Sequence, residues 1–103
     1  MAPQDMRLER VEIRCDVLDD AVFCVQEGAD AWCYDYKLQR QFASLSIRYD
    51  NANAPEGWFF VRQDVIARAT VSELIKAGHL ELQQSNFTLA DGGGATLGRL
   101  VVK

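Results

Sequence analysis

Apolar and polar positions alternate along several short stretches of the chain, and this period of two predicts β-strands. The clearest case is the stretch 8–18. Its predicted inward positions are Val11, Ile13, Cys15 and Val17. An apolar run at 21–26 and alternating stretches at 31–37 and 42–49 follow. The first three segments are joined by short links, which favours an antiparallel meander.

Residues typical of turns separate these stretches. Asp19 and Asp20 are predicted to form a tight turn. The stretch 27–30 is predicted to form another, because Gly28 can adopt a positive φ. The stretch 50–57 combines Asp, Asn, Pro and Gly and is predicted to be a loop.

The second half of the chain is also rich in predicted strands. These are 58–62, 79–83, 87–90 and 97–102, with a polar turn expected between 83 and 87. Three consecutive glycines follow Asp91. A phosphate-binding loop would need a helix after the glycines, whereas here a strand follows, so a hairpin connection is expected.

One helix is predicted over residues 64–78. Thr70 and Glu73 have the spacing of a capping box, in which each side chain accepts from the other residue's main-chain N–H. Gly78 stands where a helix commonly ends. The apolar positions change phase within the segment, so a break or bend is expected near Ala69.

These elements predict a single α+β domain over residues 1–103, with 1–6 expected to be flexible. About seven to eight strands form a mainly antiparallel curled sheet, and the helix near 64–78 packs on it.

Charge is distributed unevenly along the chain. The net charge is −4, but residues 1–36 hold nine acidic and three basic side chains. Phosphates would be repelled there, so we expect no nucleic-acid partner. The chain has no signal-peptide pattern and no apolar run that could span a membrane, so we expect a cytoplasmic protein without membrane association. The three cysteines are then expected to be reduced thiols.

Candidate chemistry is sparse. A zinc site built from the cysteines and His79 lacks the closely spaced ligand pairs of structural zinc sites, so no metal or other cofactor is expected. Cys33 and Asp35 share a strand face, and His79 and Glu81 share another. If the two strands were neighbours, a nucleophile, a base and an acid would meet.

Aromatic residues form two stripes. The first comprises Trp32, Tyr34 and Tyr36, and the second Trp58 and Phe60. We expect both to belong to the core, since large aromatic side chains dominate the cores of small domains. The alternative is an exposed platform, which would be a protein-binding surface.

The sequence therefore predicts a small non-enzymatic module that binds another protein. An acidic inhibitor or an immunity-type protein from a phage or mobile element fits this description. The expected binding residues are Asp16, Asp19, Asp20, Trp32, Tyr34, Tyr36 and Trp58. The alternative is a small enzyme or small-molecule binder whose pocket uses Cys33, Asp35 and His79. A homodimer through an exposed sheet edge is also expected, with the C-terminal strand at Leu100–Val102 as the candidate edge.

Overall fold

A computed structural model describes residues 10–14, 21–49 and 52–102. Within them, strands and two short helices occur in the following order: β1 Arg10–Arg14, β2 Val22–Glu27, β3 Asp30–Asp35, β4 Arg40–Ser44, β5 Phe59–Arg62, α1 Gln63–Ile66, α2 Ala69–Lys76, β6 Leu80–Thr88 and β7 Gly94–Leu100. The predicted α+β class with a mainly antiparallel arrangement is confirmed. Among these elements, neither helix has the length and apolar character needed to cross a membrane.

The first sheet is the predicted meander. Its strand order is β1-β2-β3-β4, and all its pairs are antiparallel. Glu27 pairs with Asp30 across a two-residue turn, and Gly28 in that turn has φ 60°. Glycine at the first central position of such a turn matches the twist of the flanking strands. The Gly28 prediction is therefore confirmed.

The strand predicted at 42–49 begins and ends earlier, as β4. Leu45 still donates its main-chain N–H to Ala31 of β3, but Ile47 donates to Phe60 of β5 instead. The chain therefore leaves the first sheet after Ser44 and makes a single bridge to the second sheet. This change of sheet explains why the period of two overestimated the strand.

The second sheet has the order β5-β7-β6. β7 is hydrogen-bonded on both sides, so the expectation that the C-terminal strand is a sheet edge is wrong. β6 is one strand rather than two, and its register shifts between Gln83 and Phe87. Ser85 stays in the sheet because its hydroxyl bonds the Thr96 hydroxyl at 3.2 Å and accepts from the Leu97 N–H at 3.3 Å. The predicted turn between 83 and 87 therefore does not form.

The predicted helix is divided into α1 and α2, with the interruption at residues 67–68, next to the break expected at Ala69. α2 has Arg68 as its N-cap, and no side chain caps it. Thr70 lies inside the helix, so the predicted capping box with Glu73 is wrong. Gly78 follows the helix with φ 79°, as expected for a glycine at a helix end.

One core lies between the two open sheets and the helices, which fits the predicted curled arrangement. The inner face of the first sheet contributes mostly small and β-branched side chains: Ile13, Val22, Cys24, Ala31 and Cys33. The second sheet and the helices contribute Phe59, Val61, Val65, Val71, Leu74, Leu80 and Leu100. Small residues on one sheet therefore face larger ones on the other.

Candidate binding surface

The predicted acidic site is described only in part. Asp16, Asp19 and Asp20 lie outside the described residues. Two nearby acids, Glu12 and Glu27, both contact Arg10, at 3.6 Å and 2.9 Å. Arg10 therefore offsets one of these two negative charges.

The first aromatic stripe lies on the outer face of the first sheet, away from the core. Cys33 is completely buried, whereas Trp32 and Tyr34 on either side of it are half-buried. Tyr36 is 44% exposed. The prediction that this stripe belongs to the core is therefore wrong. Successive side chains of β3 point to opposite faces of the sheet, so only one set of them can face the core. The small residues Ala31 and Cys33 form that inward-facing set.

The rings of this outer face pack against one another. Phe23 of β2 lies 4.3 Å from Tyr36 and 5.3 Å from Tyr34 between ring centroids. The guanidinium of Arg14 lies 5.2 Å from the centre of the Tyr36 ring. The Tyr36 hydroxyl donates to Glu12 at 3.5 Å. These contacts hold the partly exposed tyrosines in defined orientations, and we call the group formed by Arg14, Phe23, Tyr34 and Tyr36 the outer aromatic cluster.

The hairpin between β3 and β4 extends this surface. Of the four large apolar side chains that are markedly exposed among the described residues, three lie here: Tyr36, Leu38 at 58% and Phe42 at 44%. The turn is ordered by Asp35, whose carboxylate accepts the main-chain N–H groups of Lys37 and Leu38 at 2.8 Å and 3.2 Å. Its apolar side chains are therefore displayed on a structured turn.

β4 is an edge of the first sheet, and four of its five residues are exposed. Leu45 directs its N–H toward Ala31 of β3. Successive residues of a strand direct their N–H groups to opposite sides, so the N–H of Ser44 points away from the sheet. This edge can therefore accept a further strand.

The second aromatic stripe lies on a different sheet and does not join the first. Phe60 is 4% exposed and packs on the outer face of the second sheet against Tyr49 and Phe87, with ring centroids 5.0 Å away in both cases. Trp58 is half-buried, and Arg99 stacks over it at 4.8 Å from the ring centre. Phe60 is buried, as the core prediction requires. Trp58 is only half-buried and borders an open groove, so the core prediction is wrong for Trp58.

That groove has a volume of about 530 Å³. Its walls are the turn at 28–29, the loop at 54–57 and the chain after β7. The side chains that line it are mainly apolar and include Val11, Pro55, Trp58, Val101 and Val102. It is therefore a second surface that could hold a ligand.

The alternative catalytic set is not assembled. Cys33 is in the core, Asp35 orders the β3–β4 turn, and Nδ1 of His79 lies 3.4 Å from the carbonyl oxygen of Val101. None of the three lines the groove or either of two further cavities, one beside Asp91 and one beside Asp30. Within the described part of the chain, no three His, Cys, Asp or Glu side chains are grouped as metal ligands would be.

The sequence did not predict a functional or structural role for Leu38, Phe42 or Gln26. Phe42 had a signal, because it is out of phase with Ala43, Leu45 and Ile47 and so should point outward. Leu38 lies between two predicted strands and carried no periodic signal. Gln26 looked like the polar end of an apolar run.

A scan against protein-family models gives no match, and searches of the curated proteins and of the solved structures give none either. The fold alone defines the class: a two-sheet α+β domain with an exposed edge hairpin.

Proposed function

We propose that this chain is a non-enzymatic protein-interaction module that binds an extended segment of a partner along β4, beside the outer aromatic cluster. The supporting observation is the concentration of exposed apolar side chains on the β3–β4 hairpin. Tyrosine is enriched among the residues that anchor protein interfaces, and Tyr36 is one of these exposed side chains.

The mode of binding follows from the edge position of β4. A segment that adds to a sheet edge gains main-chain hydrogen bonds, and its alternate side chains meet the two faces of the sheet. Four of the five β4 residues are exposed, and Phe42 and Leu38 offer apolar contacts.

The charge of the hairpin defines the partner further. Residues 36–44 hold Lys37 and Arg40 and no acidic residue, although the whole chain is acidic. We therefore infer a partner segment with apolar side chains and at least one carboxylate. Binding to this basic turn does not draw on the acidic charge of residues 1–36. The inhibitor or immunity-type role in the cytoplasm is therefore a separate part of the proposal, supported by that charge alone.

The test uses the immobilised full chain and a lysate of the organism that makes it. Leu38→Ser with Phe42→Ser removes the apolar anchors, and Ser44→Pro removes the outward N–H. Proline is tolerated on an edge strand where that N–H has no partner. Val102→Ser is the matched control, because Val102 is the fourth large exposed apolar side chain among the described residues, at 66%, and does not belong to the hairpin.

We expect the wild-type chain and Val102→Ser to capture the same protein, and both hairpin variants to lose it while keeping the wild-type circular dichroism spectrum. Capture that survives in both hairpin variants would refute the proposed site. Light scattering shows whether β4 binds a second copy of the chain instead. A wild-type dimer that Ser44→Pro converts to a monomer would show that β4 pairs with β4 of another copy rather than with a partner segment.

The groove beside Trp58 favours a second candidate function, the binding of a small apolar molecule. Pockets for such ligands are concave, mainly apolar and have few polar groups. A panel of apolar fluorescent probes titrated against the wild-type chain and Trp58→Ala tests it. Saturable binding that Trp58→Ala abolishes supports the groove as a ligand site, and equal binding by both proteins excludes it.

A further inference from the structure

Cys24 of β2 and Cys33 of β3 face each other directly across the antiparallel pair. Their sulfur atoms are 3.1 Å apart, and both residues are completely buried. The two cysteines are not disulfide-bonded. The sulfur atoms are therefore already in contact inside the core.

The type of strand pair decides whether a covalent bond fits. The two-residue turn makes Glu27 and Asp30 a hydrogen-bonded pair, and such pairs alternate with non-hydrogen-bonded ones along the ladder. Counting back from the turn, Cys24 and Cys33 form a non-hydrogen-bonded pair. The same count makes Ala21 and Tyr36 a hydrogen-bonded pair. The N–H of Tyr36 does donate to the carbonyl of Ala21, at 2.8 Å, which agrees with this count.

Non-hydrogen-bonded pairs have Cα atoms about 4.5 Å apart. Disulfides span Cα separations of roughly 4.4–6.8 Å. The backbone of β2 and β3 can therefore accommodate a bond between the two sulfur atoms without a change of register.

We propose that Cys24 and Cys33 form a modification site at which a peroxide produces an intrachain disulfide. In the first step one thiol takes an oxygen atom from hydrogen peroxide, which gives a sulfenic acid and releases water. In the second step the other thiol attacks that sulfur, the S–S bond forms, and a second water leaves. The two thiols lose two electrons in total, and the peroxide is reduced to two water molecules.

Burial makes this site slow and selective. Large alkylating reagents cannot reach a completely buried sulfur atom, so they react slowly with both cysteines. Hydrogen peroxide is small, and local opening of the exposed edge strand β4, whose Ala43 pairs with Cys33, gives it access. Once formed, the disulfide closes the β2–β3 hairpin and restricts the unfolded chain, so it raises the midpoint of thermal unfolding by several degrees.

The test uses the full chain with Cys15→Ala, so that only the two facing cysteines remain. After treatment of the native protein with hydrogen peroxide, we expect a mass loss of two hydrogen atoms with an unchanged circular dichroism spectrum. Glu27 lies between the two cysteines. After cleavage at the glutamates, the fragment that carries Cys24 and the fragment that carries Cys33 should therefore stay joined until a reductant is added. Cys33→Ala in the same background is the control and should show neither change.

The proposal is overturned if the treated protein gains oxygen atoms without forming the bond, or if the joined fragments come only from dimers. It is also overturned if the mass loss requires denaturant, because the native geometry then does not supply the contact. In the wild-type chain, a disulfide from Cys15 to Cys24 or Cys33, formed in place of the Cys24–Cys33 bond, would also overturn the proposal.

Discussion

The side-chain oxygen of Gln26 accepts the main-chain N–H of Leu100, 74 positions later in the chain, at 2.8 Å. The amide nitrogen of Gln26 donates to the carbonyls of Gly57 at 2.7 Å and Gly28 at 3.2 Å. Gln26 is only 3% exposed. A single buried amide therefore joins the first sheet to the loop before β5 and to the end of β7, and Gln26 also lines the Trp58 groove.

Replacement of Gln26 by leucine should destabilise the fold strongly. The substitution keeps the approximate volume but leaves the Leu100 N–H and the Gly57 carbonyl without their partner. The Leu100 N–H is buried, whereas Gly57 is exposed and its carbonyl can accept from water instead. An unsatisfied buried group costs about 1–3 kcal/mol, so we expect a loss of about that size in the free energy of unfolding. Urea titration measures it, with the exposed Gln83→Leu as control. A loss below that of the control would show that the amide is not a structural connection.

Gly98 and Gly94, both in β7, should respond differently to alanine. A Cβ on Gly98 would lie 3.0 Å from Cγ2 of the fully buried Val61 and 3.4 Å from Leu82. Overpacking of this kind costs about 1–3 kcal/mol. The three atoms nearest to a Cβ on Gly94 all belong to the end of the Gln63 side chain, which is exposed and can move away. Thermal unfolding of both variants should show a lowered midpoint for Gly98→Ala alone, and equal midpoints would contradict this packing.

The sequence was sufficient for the β1–β3 meander, because clear alternation and a well-placed glycine act over short distances. It was insufficient where distant residues decide the structure. The continuity of β6 depends on the contact between Ser85 and Thr96, and the central place of β7 depends on its two neighbours. Neither relationship leaves a local signal, so the predicted turn and the predicted C-terminal edge were wrong.

The aromatic residues of β3 were predictable from the sequence, but the face of the sheet on which they lie was not. The period of two in β3 separated Trp32, Tyr34 and Tyr36 from Cys33, but it could not say which set faces the core. Large aromatic residues usually occupy the core of a small domain. Here Phe59 and the aliphatic residues of the second sheet and helices fill the interior, so the small cysteine face fits opposite them.

The start of α2 offers a direct comparison of the predicted and observed caps. Arg68 has the extended backbone of an N-cap, with φ −71° and ψ 145°, but no capping side chain. Arg68→Asp supplies an acceptor for the first turn and should add about 0.5–2 kcal/mol of stability. Thr70→Ala should change it by less than about 0.5 kcal/mol, since Thr70 caps nothing. Urea titration of both variants measures this, and a larger loss in Thr70→Ala than the gain in Arg68→Asp would restore the predicted capping box.

The turn between β6 and β7 should make part of the stability depend on acid pH. The main-chain N–H of Gly93 donates to Asp91 at 2.8 Å, and Arg62 forms an ion pair with the same carboxylate. These contacts, the N–H first and the arginine second, lower the pKa of Asp91 below its ordinary value of 3.8. A carboxylate whose pKa is lower in the folded state stabilises the fold fully above the unfolded value, and the stabilisation is lost as the pH falls through the folded value.

Asp91→Asn keeps an oxygen that can accept from Gly93 but removes the charge. The wild-type chain should therefore have the higher urea midpoint near neutral pH, and the difference should shrink as the pH falls below about 4. Asp64→Asn is the control for net charge, because Asp64 contacts the same arginine more distantly, at 3.4 Å, and takes no part in the turn. A wild-type advantage that stays constant down to the lowest measurable pH would mean that the charge of Asp91 does not stabilise the hairpin, and that Gly93 alone holds the turn.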